Sequence, residues 1–300
     1  MSSAIRLTPD VRAALAARRP VVALETSVLA QGLPIPHNRD AARRMTEAIA
    51  RHGATSALTA VVDGVPTLGL TPGELERFLA RDGIVKVSAR DLAPVVASRR
   101  SGATTVAATL ALIARTEVRV FATGGIGGVH RGAPFDESAD LRELAQTPAV
   151  VTCAGAKSIL DLPATLERLE SLGVPVIGYC TSEFPAFFSR SSGLRVPARA
   201  DSVEQLRDIV RAHHALGRRE AVLVVQPPPE SDALPAALIE AAVARALEEA
   251  RAAGVHGPAT TPFLLAAVER ATEGRSLQTN LALLEHNADL AGRIAAALAA

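Results

Sequence analysis

Several short segments of this 300-residue chain carry side chains that can do chemistry. Glu25-Thr26-Ser27 follows the apolar run Val21–Leu24. Functional residues of open α/β sheets gather at the carboxyl ends of strands, and a carboxylate in apolar surroundings favours its protonated form, which suits a proton donor. The alternative is a helix-cap or dipole partner. Lys86-Val87-Ser88 closes a second apolar run; its lysine is either a point charge for a phosphate or a solvated strand-end residue. Cys153-Ala154-Gly155-Ala156-Lys157-Ser158 seats a lysine among small residues. Desolvation there would free the amine to form an imine; the alternative is a helix-start lysine with Ser158 as the cap.

Three further segments give weaker signals. Thr123 to Gly132, TGGIGGVHRG, holds four glycines in five residues. Such a turn can direct backbone N–H groups at a phosphate or carboxylate. It matches neither a dinucleotide fingerprint nor a P-loop, so nucleotide binding does not follow. Phe135-Asp136-Glu137-Ser138-Ala139-Asp140-Leu141 is helix-cap material, with Ser138 and Asp140 at a helix start; one aspartate could also hold a hydrated divalent cation. Gly274 to Asn280 opens the last helix and projects the Asn280 amide from its first turn.

Composition sharpens the lysine argument. Lys and Arg total 32, yet lysine occurs only at Lys86 and Lys157. An abundance of Ala and Arg is the mark of a coding bias under which surface cations drift to Arg. A lysine that persists is a candidate for work that Arg, which stays protonated, cannot do. The net charge of +1 and the lack of a basic block exclude an electrostatic nucleic-acid surface. Cys153 and Cys180 read as small core residues in a reducing compartment. No apolar signal core and no run of membrane-spanning length is present, which points to the cytoplasm and away from a membrane.

These residues need a scaffold. Near-continuous apolar runs rich in β-branched residues predict strands covered on both faces at Val21–Leu24, Ser56–Val62, Ile84–Lys86, Val118–Ala122, Ala149–Cys153, Val174–Tyr179 and Ala221–Gln226. Helices are predicted at Asn38–His52, Thr71–Arg81, Ala89–Ser98, Thr104–Arg115, Ala139–Gln146, Ile159–Leu172, Val203–Leu216, Pro235–Ala253, Pro258–Thr272 and Ser276–Ala299. Thr71-Pro72-Gly73-Glu74 has the order of a capping box, and Ser202 is a second cap. Alternating strands and helices predict an α/β fold with a central, mostly parallel or mixed sheet. The stretch Gln226–Asp232, QPPPESD, should lead from the last strand into a C-terminal helical cap. No repeat or convincing linker divides residues 1–300, so one domain is expected.

Taken together, these segments resemble the pseudouridine-5′-phosphate glycosidase family, also called indigoidine-synthase-A-like proteins. ALETSVLAQGLPIPHN, KVSARDL, TTVAATLALI, VFATGGIGGVHRGAPFDESADL, VTCAGAKSILD, GVPVIGY and SLQTNLALLEHNADLAGRIA carry the likeness, in order, over almost the whole chain. The resemblance implies a three-layer α/β/α core with C-terminal helices and a homotrimer. It implies Lys157 as the nucleophile that forms an imine with C1′ of ring-opened ribose, and Glu25 as the proton donor. It places Lys86, Val106, Ser138, Ala139 and Asp140 at substrate-binding positions, with Lys86 near the phosphate. Asp136 matches a metal-binding aspartate, usually for Mn²⁺, and His130 and Asn280 fall in stretches that line the site. The implied reaction is the reversible cleavage of pseudouridine 5′-phosphate to uracil and ribose 5-phosphate. A relative acting on another base, another Schiff-base sugar-phosphate lyase, and a non-catalytic sugar-phosphate sensor are the alternatives. The chain departs from the family where His commonly precedes Gly; it has Gln31-Gly32 instead.

Overall fold

β-branched and aliphatic runs can be buried on both faces only when helices cover both sides of the sheet. A computed structural model describes residues 5–132, 136–255 and 260–299 and shows that arrangement. The strands are β1 (Arg6–Leu7), β2 (Val21–Glu25), β3 (Thr55–Val62), β4 (Val65–Leu68), β5 (Ile84–Val87), β6 (Ser101–Thr104), β7 (Val120–Ala122), β8 (Val129–His130), β9 (Val150–Cys153), β10 (Leu160–Asp161), β11 (Val176–Tyr179), β12 (Ala198–Ala200) and β13 (Val222–Val225). The helices are α1 (Pro9–Ala16), α2 (His37–Ala50), α3 (Pro72–Ala80), α4 (Leu92–Ala97), α5 (Val106–Ile113), α6 (Ala139–Leu144), α7 (Leu162–Ser171), α8 (Val203–Ala215), α9 (Ala236–Ala252), α10 (Thr260–Ala271) and α11 (Arg275–Ala299). Phe135 and Pro258, which belong to two predicted segments, lie outside the described residues.

The sheet runs β1-β4-β3-β2-β7-β9-β13-β11-β12. From β3 through β12 every neighbouring pair is parallel. β4 and β6 run antiparallel to β3, so the sheet is mixed at that end. On one side α11 lies across β2, β7 and β9 and packs on α2 and α8; on the other α5 packs on β2 and β3 and meets α6. Close approach of α11 to α2 depends on small residues: a Cβ at Gly292 would stand 3.3 Å from the backbone of Ile49. The central strands β2, β7, β9 and β13 are buried at every residue and form one continuous core with α11 and α5.

The predicted capping boxes hold. Thr71 accepts from the Glu74 N–H while the Glu74 carboxylate accepts from the Thr71 N–H. Ser202 accepts from the Gln205 N–H at the start of α8. The QPPPESD stretch connects the last strand in sequence, β13, to α9, and α9 and α10 pack on each other as the C-terminal cap.

Three local expectations change. The helix predicted from Ile159 begins at Leu162, because Leu160–Asp161 pairs with β8 and Asp161, not Ser158, caps α7 by accepting from Ala164. The segment 89–98 divides into a 3-10 turn, Ala89–Asp91, and α4, since Pro94 tolerates a place only in a first helical turn. Cys180 is exposed rather than in the core: it follows β11 with φ of 53° and leaves the sheet there.

Candidate active site

The site is built at the carboxyl ends of the parallel strands. β2 ends on Glu25, paired with Thr59. β3 continues past it, and Ala60 and Val61 pair with Ala103 and Gly102 of β6. The other edge of that part of β3 is already taken by β4, so β6 lies directly beyond the end of β2. β5 pairs with β6 in turn and sets Lys86 opposite Ala103. In this way Lys86 is carried over the end of the strand that bears Glu25. Thr26 fastens the junction: its hydroxyl donates to the Thr59 carbonyl at 2.7 Å and accepts from the Thr104 N–H at 3.0 Å.

Lys157 arrives from the neighbouring strand. Beyond β7 and β9 the two chains stay side by side, with Ala154 N–H donating to Gly124 O, Ile126 N–H to Gly155 O, and Lys157 N–H to Ile126 O. The glycine segment is therefore a rail that holds the Lys157 backbone. Its glycines are needed for close packing. A Cβ at Gly125 would come within 2.6 Å of the Phe187 ring, at Gly127 within 2.2 Å of Ser138 Oγ, and at Gly128 within 2.3 Å of Thr165 Oγ1. The Gly127 N–H does meet a carboxylate, that of Asp140 at 2.7 Å, which belongs to the protein itself.

Glu25, Lys86, Lys157 and Asn280 line one small cleft of about 60 Å³, with Ser27, Gln31, Thr123, Phe187 and residues of α10. It continues into a wider space of about 200 Å³ that shares Gln31, Gly32, Pro262, Leu265 and Asn280. Glu25 is 5% exposed and both its oxygens are engaged. Ser27 Oγ donates to one at 2.5 Å and Thr123 Oγ1 to the other at 2.5 Å. Lys86 is exposed at its strand position, but the protein around it partly desolvates the amine and lowers its pKa, and the charge of Lys157 lowers it further, against the opposing pull of Glu25 and Asp140. The two lysines of the chain are thus electrostatic neighbours. The thiol of Cys153 lies beneath Lys157, pushed up to about 12 by burial; it remains a thiol and is no nucleophile.

Of the other predicted residues Asn280 lines the cleft, whereas Val106, Ser138, Ala139 and Asp140 are not among its described lining residues. Val106 is buried at the first position of α5, next to its cap Thr105, whose N–H donates to Val87 O beside Lys86. Asp140 accepts from Ala107 N–H at 2.9 Å and from Gly127 N–H, and so ties α5 to the glycine rail. Ser138 caps α6 and Ala139 is the first residue of that helix. Asn280 lies in the second turn of α11, one turn later than its sequence position suggested, because that helix starts at Arg275. His130 lies on β8 of the β8–β10 ribbon, its N–H donates to the Asp136 carbonyl, and neither residue is among the cleft's described lining residues. Asp136 is exposed, with one oxygen 3.3 Å from His130 Nδ1. No cluster of three or more acidic, His or Cys ligands occurs among the described residues. Asp136 is a lone exposed carboxylate beside His130, apart from the described lining of the cleft.

Residues 10–297 match the family model of indigoidine synthase A like protein. The chain belongs to the indigoidine synthase A-like family. It is 62% identical to a pseudouridine-5′-phosphate glycosidase of Gemmatimonas aurantiaca, covering 98% of this chain and 96% of the relative. It is 50% identical to one of Herpetosiphon aurantiacus, covering 97% of each. Among solved structures, a prealnumycin C-glycosynthase in complex with ribulose 5-phosphate superposes with a TM-score of 0.91 at 37% identity, over 100% of this chain and 98% of the other. An indigoidine synthase A-like protein of Thermotoga maritima gives 0.88 at 40% identity over 94% of each chain.

Ser27, Thr123 and Gln31 stood in segments the sequence singled out but were given no role of their own, and Phe187 and Asn287 were not singled out at all. Asn287 is the most central. Its amide donates to Thr123 O at 2.9 Å and Gly124 O at 3.3 Å, its Oδ1 accepts from Gln226 Nε2, and its carbonyl accepts from Thr152 Oγ1. A polar residue in the buried stripe of a long apolar helix was the available signal.

Proposed function

We propose that the chain is a pseudouridine-5′-phosphate glycosidase, cleaving the C–C glycosidic bond reversibly to uracil and ribose 5-phosphate. The observation that carries this is the meeting of both lysines with the buried Glu25 in one cleft at the strand ends. The names of relatives up to 62% identical, and the sugar phosphate bound by the structural neighbour, support the substrate class.

A C–C glycosidic bond has a poor leaving group, and an amine supplies the electrons that break it. The Lys157 amine adds to C1′ as the C1′–O4′ bond opens, and O4′ takes a proton that Glu25 delivers. C5 of the uracil is then protonated. The nitrogen lone pair forms the C=N bond while the C1′–C5 electrons pass into the ring, releasing uracil. Water hydrolyses the imine to ribose 5-phosphate and the free amine. Lys86 and the first turn of α5 hold the phosphate, lending binding energy to the chemical step. Asp140 and Ser138 act on substrate through the rail and α5. Asp136, with His130 beside it, would be the carboxylate that holds Mn²⁺, and the bound ion would supply a Lewis acid; neither residue is among the cleft's described lining residues.

A single-domain homotrimer in the cytoplasm completes the reading. No helix among the described residues is long and apolar enough to cross a membrane. The neighbour named as a C-glycosynthase favours a second reading, a relative acting on another base, but its identity is 37% against 62% for the glycosidase relative.

The deciding experiment is chromatography of pseudouridine 5′-phosphate incubated with purified protein and Mn²⁺. Equimolar uracil and ribose 5-phosphate are expected. Without uracil, borohydride trapping of ribose 5-phosphate on Lys157 separates an imine enzyme with another base from a protein that only binds the sugar.

A further inference from the structure

The cleft contains two buried hydrogen-bond acceptors that the protein leaves unmatched. Gln31 Oε1 and Asn280 Oδ1 are both inaccessible and lack a partner among the described residues. Both residues line the reaction cleft and its wider continuation. Buried amide carbonyls are nearly always paired, so two unmatched ones on residues that line the same space are suited to a ligand that brings two donors.

Their position identifies which end of the ligand they meet. Lys86, Lys157 and Glu25 border only the small cleft, whereas Gln31 and Asn280 border the continuation as well. That continuation is walled by Leu33, Phe188, Pro262 and Leu265. Its charged residues are Arg81 and Glu269, of opposite sign, and Arg81 already donates to the Leu33 carbonyl. A mixed wall of apolar side chains and uncharged amides, with no net charge, suits a planar polar heterocycle, and a phosphate goes to the lysine end.

Gln31 is also held in place. It belongs to the π-helical turn Val28–Gly32 that follows β2, a geometry that recurs at functional sites. Buried Asn38 braces this turn by donating to Leu29 O at 3.1 Å and to Leu79 O at 2.8 Å.

A uracil joined through C5 keeps two ring donors, N1–H and N3–H; a uracil joined through N1 keeps only N3–H. We infer that Gln31 determines base specificity: its side-chain carbonyl accepts one ring N–H of a C5-linked uracil while Asn280 accepts the other. The inference rests on the glycosidase reading and adds to it the means by which this chain recognises a C-nucleotide.

The test compares wild type and Gln31→Leu on pseudouridine 5′-phosphate and on its N1-methyl and N3-methyl derivatives, with ribose 5-phosphate trapping on Lys157 as a control for fold and sugar binding. Gln31→Leu should lower kcat/KM for the parent substrate roughly ten-fold or more, trap ribose 5-phosphate as wild type does, and lose the penalty for one methyl group while keeping it for the other. Unchanged kcat/KM, or methyl penalties identical in both proteins, overturns the inference. Loss of ribose 5-phosphate trapping together with unchanged methyl penalties also overturns it, since Gln31 would then serve the sugar. If wild type releases no uracil from the parent, the glycosidase reading itself fails, an outcome separate from any behaviour of the variant.

Discussion

The Thr123 hydroxyl donates to Glu25 at 2.5 Å, joining the end of β7 to the end of β2 across 98 positions of sequence. With Ser27 on the other oxygen, it fixes a carboxylate that has no charged hydrogen-bond partner. Thr123→Val keeps the shape and removes the donor. Leaving a buried carboxylate oxygen unpaired costs about 1–3 kcal/mol. Thermal unfolding should occur a few degrees lower and kcat should fall about ten-fold, with Thr123→Ser restoring both. A wild-type kcat in Thr123→Val would show that the hydroxyl does not position Glu25.

Lys86 supplies a pH prediction. Its pKa lies below the usual lysine value, first because the surrounding protein partly desolvates this exposed side chain and second because of Lys157. As pH rises through that lowered value, Lys86 loses its charge and the affinity for ribose 5-phosphate should fall, at lower pH than an ordinary lysine would allow. Lys86→Arg stays protonated and should move the fall to higher pH; calorimetric titration across the alkaline range measures it. Stability follows the opposite sign. Between the lowered folded value and 10.5 the unfolded chain binds more protons, so stability should rise with pH through that window.

Asp140 holds two buried backbone N–H groups, of Ala107 and Gly127. Asp140→Asn offers one acceptor and turns an N–H against the other donor, while removing a negative charge that supports Lys86. We expect a loss of about 2–4 kcal/mol, from one hydrogen bond to a charged group and one unpaired donor, and weaker ribose 5-phosphate binding. Denaturant midpoints and calorimetry report the two effects separately; intact stability would mean that the rail does not depend on this carboxylate.

The two cysteines should differ in reactivity. Cys153 is buried with its thiol pushed up to about 12, whereas Cys180 is exposed. A disulfide exchange reagent at neutral pH should modify one thiol in the native protein and two in denaturant, and Cys180→Ser should abolish the native reaction. Rapid modification of both native thiols would contradict the packing under Lys157.

The sequence was readable where one physical effect dominates. Continuous aliphatic runs such as Val222–Val225 have to be buried on both faces, and the strands followed. Thr71-Pro72-Gly73-Glu74 carried its own cap. Lys86 and Lys157 were conspicuous because a chain rich in arginine kept them, and the structure brings them together. Failures came where a distant partner decides. β4, VPTL, and β6, SGAT, contain Pro or Gly and little apolar pattern, yet both become strands because β3 offers its two edges. Cys180 looked like core because the strand before it is core; its positive φ, invisible in the sequence, turns it outward. Thr123 and Ser27 are ordinary residues until Glu25 is set between them.

Asn287 lies furthest from local reading and closes the same network from behind. Its amide donors hold the carbonyls of Thr123 and Gly124, so the Thr123 hydroxyl is aimed at Glu25 by a residue of α11. It is not itself among the cleft's described lining residues and acts on them as a positioning residue. Asn287→Leu, of similar volume, would leave two buried carbonyls and the Gln226 amide without this partner. The expected result is a lower kcat with KM for pseudouridine 5′-phosphate changed less than two-fold, because the groups holding phosphate and base lie elsewhere. Asn287→Asp should be worse than Asn287→Leu, since it sets a carboxylate against two carbonyl oxygens, and burying such an unpaired charge is costly. If instead the aspartate variant keeps kcat while the leucine variant loses it, the amide donors are not what positions Thr123, and the link from α11 to Glu25 must run through packing alone.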